Sequence, residues 1–374
     1  MTTMLALRAH RGAETLVLEE VPVPEPGPLD VVVKVASAGL APGIMRLLQM
    51  GVFKHLPTTV GHEAAGTIAA VGRDVRGRTV GDRVRVHPVL NCRDCAHCRT
   101  DRDMMCAQSA LLGHAALGQG AMPLYAEYHD GGLAEYIRVP HWLIDALPDS
   151  VGFDVAAKVH DLANAVSALK CADLPVGSTV VVTAATGTMG TATVKLAEHF
   201  GIAQLVLVGR DRARLEPVAG LAGVPTGLVA LDDLPEGWAA SGALTGRLRE
   251  LAPGGADAVI DFIPDGPATG QAMAALATGG SLVHMGANAT PLALPPVAMM
   301  MRCWRFLTTR ACTRNDTRAV LRLLETGALA CDELITHRFP LTDAIKAVDA
   351  IQQRVDKPMW MTVVNPSSEG MASG

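Results

Sequence analysis

The first 150 or so residues consist of short runs rich in valine, isoleucine and alanine, separated by prolines and glycines. Runs of this length, enriched in β-branched residues and bounded by turn residues, are typical of strands. The predicted strands are 31–35, 66–71, 82–86 and 135–139. Strands in close succession, without long helices between them, indicate a compact, barrel-like, β-rich domain.

The pattern changes near residue 162, where apolar runs begin to alternate with segments of helical periodicity. Met189, Thr193, Leu196 and Phe200 fall on one helical stripe, and Gly201 is well placed to end that helix. Alternating strands and helices predict a parallel sheet covered on both faces. The predicted strands are 180–184, 205–208, 258–261 and 281–285.

These changes of pattern predict three segments: 1–161, 162–308 and 309–374. The last segment contains two predicted amphipathic helices and a final strand, at 317–324, 343–353 and 359–364. The tail, 365–374, is rich in serine and glycine and poor in large apolar residues, so we expect it to be mobile. The predicted fold class is α/β.

Composition narrows the choice of partners. The chain has 374 residues, 49% of them hydrophobic, and a formal net charge of -5. Because it has no basic cluster interleaved with aromatic residues, a small-molecule partner is favoured over nucleic acid or an anionic membrane. Arg8, His10 and Arg11 interrupt the amino terminus early, unlike the layout of a signal peptide. We therefore expect a cytoplasmic protein with reduced thiols.

One stretch is long enough to cross a bilayer, because 266–301 contains no Asp, Glu, Lys or Arg. Pro267, Pro291, Pro295 and Pro296 interrupt it. Proline disfavours a continuous helix, so the stretch is predicted to form buried strand and loop.

Four cysteines, Cys92, Cys95, Cys98 and Cys106, follow the spacing C-x2-C-x2-C-x7-C. Short turns with this spacing bring four thiolates around one tetrahedral zinc ion and leave no open position for a substrate. The prediction is one structural zinc. A pair of disulfides is the alternative, disfavoured in a reducing compartment. His97 lies within the cluster and is interpreted as a bystander.

A phosphate-binding turn is predicted directly after strand 180–184, where the sequence reads A-x-G-x-x-G from Ala185 through Gly187 to Gly190, with Thr188 and Met189 between the two glycines. The order strand, glycine turn, helix lets backbone N–H groups and the helix amino terminus face the pyrophosphate of a dinucleotide. The alternative is a glycine that only allows tight packing.

The end of the second strand of this unit indicates which dinucleotide binds. An NAD-preferring site places Asp or Glu there, on the ribose 2′-hydroxyl, whereas this chain has Gly209 followed by Arg210. Arg210 and Arg214 are the predicted partners of a 2′-phosphate, so we expect NADPH. Asp211 lies one or two residues too late to reach the hydroxyl. The alternative for both arginines is a solvated helix start. Gly286, after strand 281–285, completes the predicted cofactor-binding set.

Taken together, these features resemble the medium-chain dehydrogenase/reductase superfamily, and within it the zinc alcohol dehydrogenase group. Gly61-His62-Glu63 matches the G-H-E motif of that family, 131–136 its G-G-x-A-E-Y motif, and 92–106 its structural zinc lobe. The resemblance implies a GroES-like catalytic domain built from both chain ends and a doubly wound Rossmann domain between them. It also implies a homodimer or homotetramer.

The chain departs from the zinc-dependent members at 39–46. Those members read G-x-C-x-S/T-D-x-x-H, where Cys binds catalytic zinc, Ser or Thr relays a proton and Asp orients the zinc-bound His. This chain reads GLAPGIMR, so Ala41 and Ile44 leave that wall apolar. Loss of the carboxylate also removes the partner that would fix a ligating imidazole.

Polar residues persist elsewhere in the expected site: His62, Glu63, and His160 with Asp161 beside it, at the position of the third ligand in relatives. All are residue types that bind zinc, so one hypothesis is an altered catalytic zinc site. The other hypothesis is a hydrogen-bonded polar cluster in which one histidine donates a proton. Tyr125 and Tyr128, in the long segment after Cys106, are further catalytic candidates, because a tyrosine hydroxyl could donate a hydrogen bond to an oxyanion. Either tyrosine is equally explained as a packing residue.

The function predicted from the sequence is an NADPH-dependent reductase without a catalytic zinc. It would deliver hydride to a polarised, enone-like C=C bond or a carbonyl of a small, largely apolar substrate. Relatives that lack the metal suggest a reductive step or reductive cyclisation in natural-product biosynthesis. The alternatives are a zinc-dependent alcohol dehydrogenase that uses His62, Glu63, His160 or Asp161, and a sensor or partner protein that binds NADPH without turnover.

Overall fold

The computed structural model describes residues 2–354 and 358–366. Most of the tail predicted to be mobile, 367–374, lies outside the described residues. Internal contacts divide the chain into two compact units, the first formed by Met1–His160 with Thr313–Gly374 and the second by Asp161–Cys312. Among the described helices, none combines the length and apolar character needed to cross a membrane.

The first unit is rich in strands. Its amino-terminal strands are β1 (Thr3–Ala9), β2 (Val17–Pro22), β3 (Asp30–Gly39), β4 (Thr58–Thr59), β5 (Glu63–Val71), β6 (Arg83–Val86), β7 (Val89–Leu90), β8 (Ala110–Leu111), β9 (Ala115–Ala116), β10 (Tyr136–Pro140) and β11 (Ile144–Ala146). Short helices between them are α1 (Ile44–Gln49), α2 (Ala96–Arg99) and α3 (Met122–Glu127). The long helix α4 (Phe153–Ala172) leads into the second unit.

The second unit alternates strands with helices. Its strands are β12 (Ser178–Val182), β13 (Ile202–Gly209), β14 (Thr226–Ala230), β15 (Ala256–Asp261), β16 (Leu276–His284) and β17 (Arg305–Thr308). Its helices are α5 (Thr188–Leu196), α6 (Arg212–Ala219), α7 (Trp238–Ser241), α8 (Ala243–Leu251), α9 (Ala268–Ala274) and α10 (Pro296–Met301). The carboxy-terminal segment of the first unit adds α11 (Arg314–Glu325), β18 (Ile335–Pro340), α12 (Ala344–Gln353) and β19 (Met361–Asn365).

The largest sheet of the first unit joins both ends of the chain. Its strand order is β11-β6-β5-β3-β19-β18, and β10 also pairs with β3. Alternate side chains of β3, those of Val31, Val33 and Val35, are fully buried and form part of the core. The last strand, β19, runs antiparallel to β3 and pairs Val363 with Gly39. The carboxy-terminal segment is therefore built into the β-rich domain.

The second unit contains one six-stranded sheet in the order β14-β13-β12-β15-β16-β17, and all its strand pairs are parallel. Central strands are buried on both faces, as Val180, Val181 and Val182 illustrate. The order reverses direction at β12, which is the doubly wound topology. In such sheets ligands bind at the carboxyl ends of the strands beside this reversal.

The predicted elements match the structure closely, with one correction. The uncharged stretch 266–301 is not only buried strand and loop, because it contains the helices α9 and α10. Val297, Met300 and Met301 of α10 are exposed. Proline explains the difference, since Pro295 and Pro296 end the preceding extended segment and start a helix at its first turn.

Candidate active site

The four cysteines of the predicted zinc lobe converge. Their sulfur atoms all lie within 4.8 Å of one another. Individual Sγ–Sγ separations are 3.5 Å for Cys95 and Cys98, 3.6 Å for Cys106 and Cys92, and 3.9 Å for Cys92 and Cys98. A tetrahedral zinc with bonds of about 2.3 Å places its sulfurs about 3.8 Å apart. His97 lies on α2 and is not a member of this group.

Backbone groups around the lobe point at the sulfurs. The N–H of Cys95 donates to Cys92 Sγ at 3.4 Å, and the N–H of Gln108 donates to Cys106 Sγ at 3.3 Å. Such donors favour the thiolate form that zinc requires. The lobe therefore fits one structural zinc held by the four thiolates, with no position left for a substrate.

The predicted phosphate-binding turn follows β12 at the carboxyl edge of the sheet. Gly187 is the N-cap of α5 in extended conformation, so the helix begins at Thr188 and its first N–H groups face outward from the turn. Gly190 allows α5 to approach the strand, because a Cβ there would lie 2.6 Å from the Ala184 oxygen and from Ala185 Cα. The turn leaves the space and the donors that a pyrophosphate needs.

The residues predicted to bind the adenosine ribose lie at the end of β13. Gly209 is buried, and a Cβ there would lie 2.9 Å from Leu215 Cδ2. Arg210 is exposed and has no side-chain partner in the described part of the chain. Asp211 is the N-cap of α6 and accepts a hydrogen bond from the Ala213 N–H at 2.8 Å. Capping directs this carboxylate to the helix.

Arg214 differs from Arg210, because its Nε lies 3.9 Å from Asp211 Oδ2. Its neighbour Arg212 bonds Asp233 through Nε at 2.8 Å. Of the three arginines at this helix start, Arg210 is the one without an acidic partner among the described residues.

A buried polar network lies under the same edge of the sheet, at the ends of three adjacent strands. Asp261 is fully buried and accepts hydrogen bonds from the hydroxyls of Thr183 and Thr269. Its Oδ2 also lies 2.6 Å from His284 Nδ1. The N–H of Asn288 donates to His284 Nε2 at 3.2 Å, so the proton of a neutral His284 is on Nδ1.

This network fixes the loop that contains Gly286. Asn288 also donates through Nδ2 to the Gly266 carbonyl at 2.9 Å and to Thr269 Oγ1 at 3.1 Å. A Cβ at Gly286 would lie 2.5 Å from the Phe262 carbonyl carbon, so the loop packs directly on the end of β15. The two loops at the strand ends are thereby held together.

Backbone contacts between glycines position the catalytic candidates of the first unit. The Gly61 N–H donates to the Gly113 carbonyl at 3.2 Å. Both glycines have positive φ, +93° and +55°, and each precedes a histidine. Because the backbones meet, His62 and His114 lie side by side with ring centroids 5.1 Å apart.

His160, on α4, completes a cluster of three imidazoles. Its ring is perpendicular to that of His62, with centroids 5.0 Å apart. Burial, followed by the nearby His62, lowers the pKa of His114 to about 3. Burial also places the pKa of His160 well below its usual value, and His62, Arg85 and Lys158 act in the same direction. His114 and His160 are therefore neutral at pH 7.

Glu63 lies beside the cluster and is paired with a lysine. Its Oε1 is 3.7 Å from His62 Nε2, and its Oε2 accepts a hydrogen bond from Lys158 Nζ at 2.6 Å. The side chains of Glu63 and Lys158 are each only 1% exposed. Gly39, directly opposite Glu63 in the β3–β5 ladder, leaves the space that this ion pair fills.

The two tyrosines are integrated into the core. Tyr125 is fully buried on α3, its hydroxyl lies near the backbone of His114, and burial raises its pKa. Tyr128 donates to Asp30 Oδ1 at 2.8 Å, and Arg138 binds the same carboxylate at 2.9 Å. Asp30 occupies the Tyr128 hydroxyl, so this tyrosine holds α3 to the sheet.

The comparisons with known proteins agree with this geometry. Residues 27–149 match the family described as alcohol dehydrogenase GroES-like domain, and residues 188–326 match the family described as zinc-binding dehydrogenase. The chain belongs to the medium-chain dehydrogenase/reductase superfamily. This membership confirms the zinc alcohol dehydrogenase-like resemblance and the predicted fold class, and it makes the chain an NAD(P)H-dependent oxidoreductase.

Individual members of the superfamily match over nearly the whole chain. Sorbitol dehydrogenase of Bombyx mori is 26% identical over 359 residues, which cover 93% of this chain and 95% of that protein. A zinc-binding type of dehydrogenase from Sinorhizobium meliloti, solved with NADP, has a TM-score of 0.81 at 24% identity, covering 98% and 100% of the two chains. An alcohol dehydrogenase from Escherichia coli CFT073, solved with NADH, has a TM-score of 0.83 at 22% identity and covers 98% and 100%. At these identities the two structures show the shared fold alone.

Zinc-dependent members of the superfamily hold a second, catalytic ion, and the residues present here do not fit one. Ala41 and Ile44 offer no ligand atom at the lost positions. Glu63 Oε2 is already bonded to the Lys158 ammonium, which repels a divalent cation. Asp161 follows His160 on α4 and points about 100° away around the helix. Among the Asp, Glu, His and Cys side chains that the structure describes, only the four cysteines bring their ligand atoms close enough together to hold a metal ion.

Three features of the candidate site were absent from the sequence-based interpretation. His114 lies in the long segment 111–125, and the available signal is the glycine directly before it, as in Gly61-His62. Lys158 is a charged residue within an apolar helical run, two positions before His160. Asp261 and His284 are the last residues of β15 and β16, and the carboxyl ends of parallel strands meet at one edge.

Proposed function

We propose that this oxidoreductase is an NADPH-dependent reductase that acts without a catalytic zinc on a small, largely apolar substrate with a polarised C=C or C=O bond. The observation that carries the proposal is the cluster of His62, His114 and His160, beside a carboxylate already paired with a lysine. Neutral imidazoles donate hydrogen bonds to an oxygen without adding a full charge to the site.

Hydride transfer develops negative charge on the carbonyl or enolate oxygen of the substrate, and NADPH, when bound, supplies that hydride. The protein must hold this charge and then deliver a proton. His114 suits the first task, because its Nδ1 is buried without a hydrogen-bond partner among the described residues. Glu63, 3.7 Å from His62 Nε2, orients His62 for proton transfer.

The first experiment tests the reaction. The protein is mixed anaerobically with NADPH and a panel of enones, aldehydes and quinones, and the loss of nicotinamide absorbance is followed. We expect turnover with enones or other polarised alkenes. Turnover confined to alcohols and aldehydes, and dependent on added zinc, would instead support a metal-assisted alcohol dehydrogenase. Tight NADPH binding with no turnover across the panel would support the sensor hypothesis.

A variant tests the role of the cluster. His114→Gln should lower kcat about 100-fold with the best panel substrate and change KM little, because an oxyanion donor acts mainly in the transition state. His10→Gln, on the half-exposed His10 of the same unit, is the matched control. An unchanged kcat in His114→Gln would remove His114 from the mechanism.

The proposed preference for NADPH depends on Arg210, the arginine after β13 that has no acidic partner among the described residues. A charge-assisted hydrogen bond contributes about 1.5–3 kcal/mol, so Arg210→Ala should weaken NADPH binding about 10- to 100-fold while NADH binding changes little. Arg212→Ala, which removes an arginine already paired with Asp233 at 2.8 Å, is the matched control. Tighter binding of NADH than NADPH by the wild type would reverse the assignment.

We further propose that the enzyme acts in the cytoplasm as a homodimer or homotetramer.

A further inference from the structure

The loop that follows β16 has a strained backbone. Ala287 has a φ of +56°, in the left-handed region that residues other than glycine rarely adopt. A backbone of this kind persists only where its surroundings hold it, and it is found most often at functional sites. The preceding residue is Gly286, which is predicted to contact the cofactor.

One titratable side chain spans this strained turn. The Asn288 N–H donates to His284 Nε2 at 3.2 Å, so the ring closes the turn on both sides of Ala287. Asn288 is also the centre of the loop, because its side chain donates to the Gly266 carbonyl at 2.9 Å and accepts from the Thr290 N–H at 2.9 Å. Loss of the bond to His284 would therefore remove a contact that ties the strained turn to the end of β16.

The bond exists only while His284 is neutral. Asp261, fully buried at the end of β15, has its Oδ2 2.6 Å from His284 Nδ1 and accepts the hydrogen bond of that nitrogen. Nε2 is thereby left as the acceptor, and a second proton can enter the ring only there, facing the Asn288 N–H. Histidine is the side chain whose charge ordinarily changes between pH 5 and pH 8. Acidification should therefore replace an attraction at Nε2 by a repulsion.

A carboxylate and two neutral side chains face the His284 ring from the elements packed against it. The carboxylate is that of Asp261, and Thr269 on α9 donates to the same oxygen at 3.0 Å. On β17 the ring stacks on Phe306, with centroids 6.4 Å apart. The loop after β15 contributes a further acid, Asp265. A positive charge on the ring would face a carboxylate, so the cost of protonation falls on the hydrogen bond at Nε2.

We propose that His284 is a positioning residue for the cofactor: its neutral imidazole holds the loop 285–290 in the conformation that receives the dinucleotide, and protonation of the ring releases the loop and weakens cofactor binding. Asp261 sets the tautomer, and Asn288 is the group that the ring holds. This inference rests on the cofactor part of the proposed function and not on its substrate.

Amide hydrogen exchange tests the loop in the full-length protein without cofactor. Protection factors of 285–290 are measured at pH 8.0 and pH 5.5 in wild type, His284→Gln and His199→Gln. Glutamine cannot be protonated, and its side-chain oxygen can accept the Asn288 N–H at either pH. His199, in the same unit and with a side chain 21% exposed, is the matched control. We expect protection of the Asn288 amide to fall about 10-fold on acidification in wild type and in the control, and less than about twofold in His284→Gln.

Affinity for NADPH at the same two pH values tests the link to the cofactor. The 2′-phosphate of NADPH also titrates in this range, but its effect is common to the three proteins. Affinity should therefore fall about 10-fold more in wild type and in His199→Gln than in His284→Gln.

Two results would overturn the inference. The first is loop protection that does not change with pH in the wild type, a measurement that does not depend on the variants folding. The second is an equal fall in NADPH affinity in wild type and His284→Gln. Failure of the proposed function has a different signature, because a wild type that binds no NADPH at pH 8.0 removes the cofactor while exchange in the loop still depends on pH.

Discussion

Gly39→Ala tests whether the geometry around Glu63 is as tight as the structure indicates. The new Cβ would lie 2.8 Å from Lys158 Cδ and 2.9 Å from Glu63 Cβ, and closer still to Glu63 Oε2. Glu63 starts the neighbouring strand β5, so its backbone cannot easily retreat, and the carboxylate must turn away from Lys158. The substitution thus separates the ion pair without removing either charge.

Two costs add in this variant. Overpacking a filled core costs about 1–3 kcal/mol, and losing a hydrogen bond between charged groups costs about 1.5–3 kcal/mol. We expect the free energy of unfolding to fall by about 4 kcal/mol, with the full hydrogen-bond cost applying because both side chains are 1% exposed. Backbone strain adds nothing, since Gly39 does not have positive φ.

Urea unfolding followed by far-UV circular dichroism measures the change. Gly43→Ala is the matched control, four residues along the chain, because a Cβ there meets nothing within 4 Å. The control should cost less than about 1 kcal/mol, as surface substitutions usually do. If the two variants unfold within 1 kcal/mol of each other, the described packing of Gly39 against the ion pair is wrong.

Three further predictions concern other parts of the molecule. The pKa of His114 is lowered to about 3 in the folded state. The neutral imidazole therefore contributes to stability above about pH 6.5, and this contribution is lost as pH falls. The difference in unfolding free energy between pH 7.5 and pH 5.0 should be about 2 kcal/mol smaller in His114→Gln than in the wild type. Cys98→Ser should reduce bound zinc from one per chain to nearly none and make residues 92–106 sensitive to protease, whereas Cys303→Ser, at an exposed thiol, should change neither. Asp261→Asn should lower the unfolding free energy by about 2 kcal/mol and weaken NADPH binding, because the single amide oxygen cannot accept from Thr183, Thr269 and His284 together. Unchanged binding would separate the network from the cofactor site.

Local sequence patterns were sufficient for most of the fold. The valine-rich run 31–35 predicted the centre of β3, and the apolar run 205–208 predicted β13, because both strands are largely buried. Cysteine spacing predicted the zinc lobe for a similar reason, since all four ligands lie within 15 consecutive residues. These elements can be predicted from neighbouring residues alone, without knowledge of tertiary contacts.

The candidate site required contacts between distant residues. His62 and His114 become neighbours through one backbone hydrogen bond between Gly61 and Gly113, which no periodicity reveals. Lys158 looks like an ordinary polar position on a helix until β5 supplies its carboxylate. Tyr125 shows the same limit, because its burial could not be read from the sequence; its role as an oxyanion donor stays a prediction.

Strand β19 pairs with β3, so the ladder that carries Gly39 is closed by residues near the far end of the polypeptide. During synthesis the Rossmann domain is complete well before this strand leaves the ribosome, and it can fold first as an independent body. The β-rich unit must wait, because Ala38 and Gly39 at the end of β3 lack their partner until β19 is made. A chain that stops before β19 can therefore complete its dinucleotide-binding domain without completing the β-rich domain.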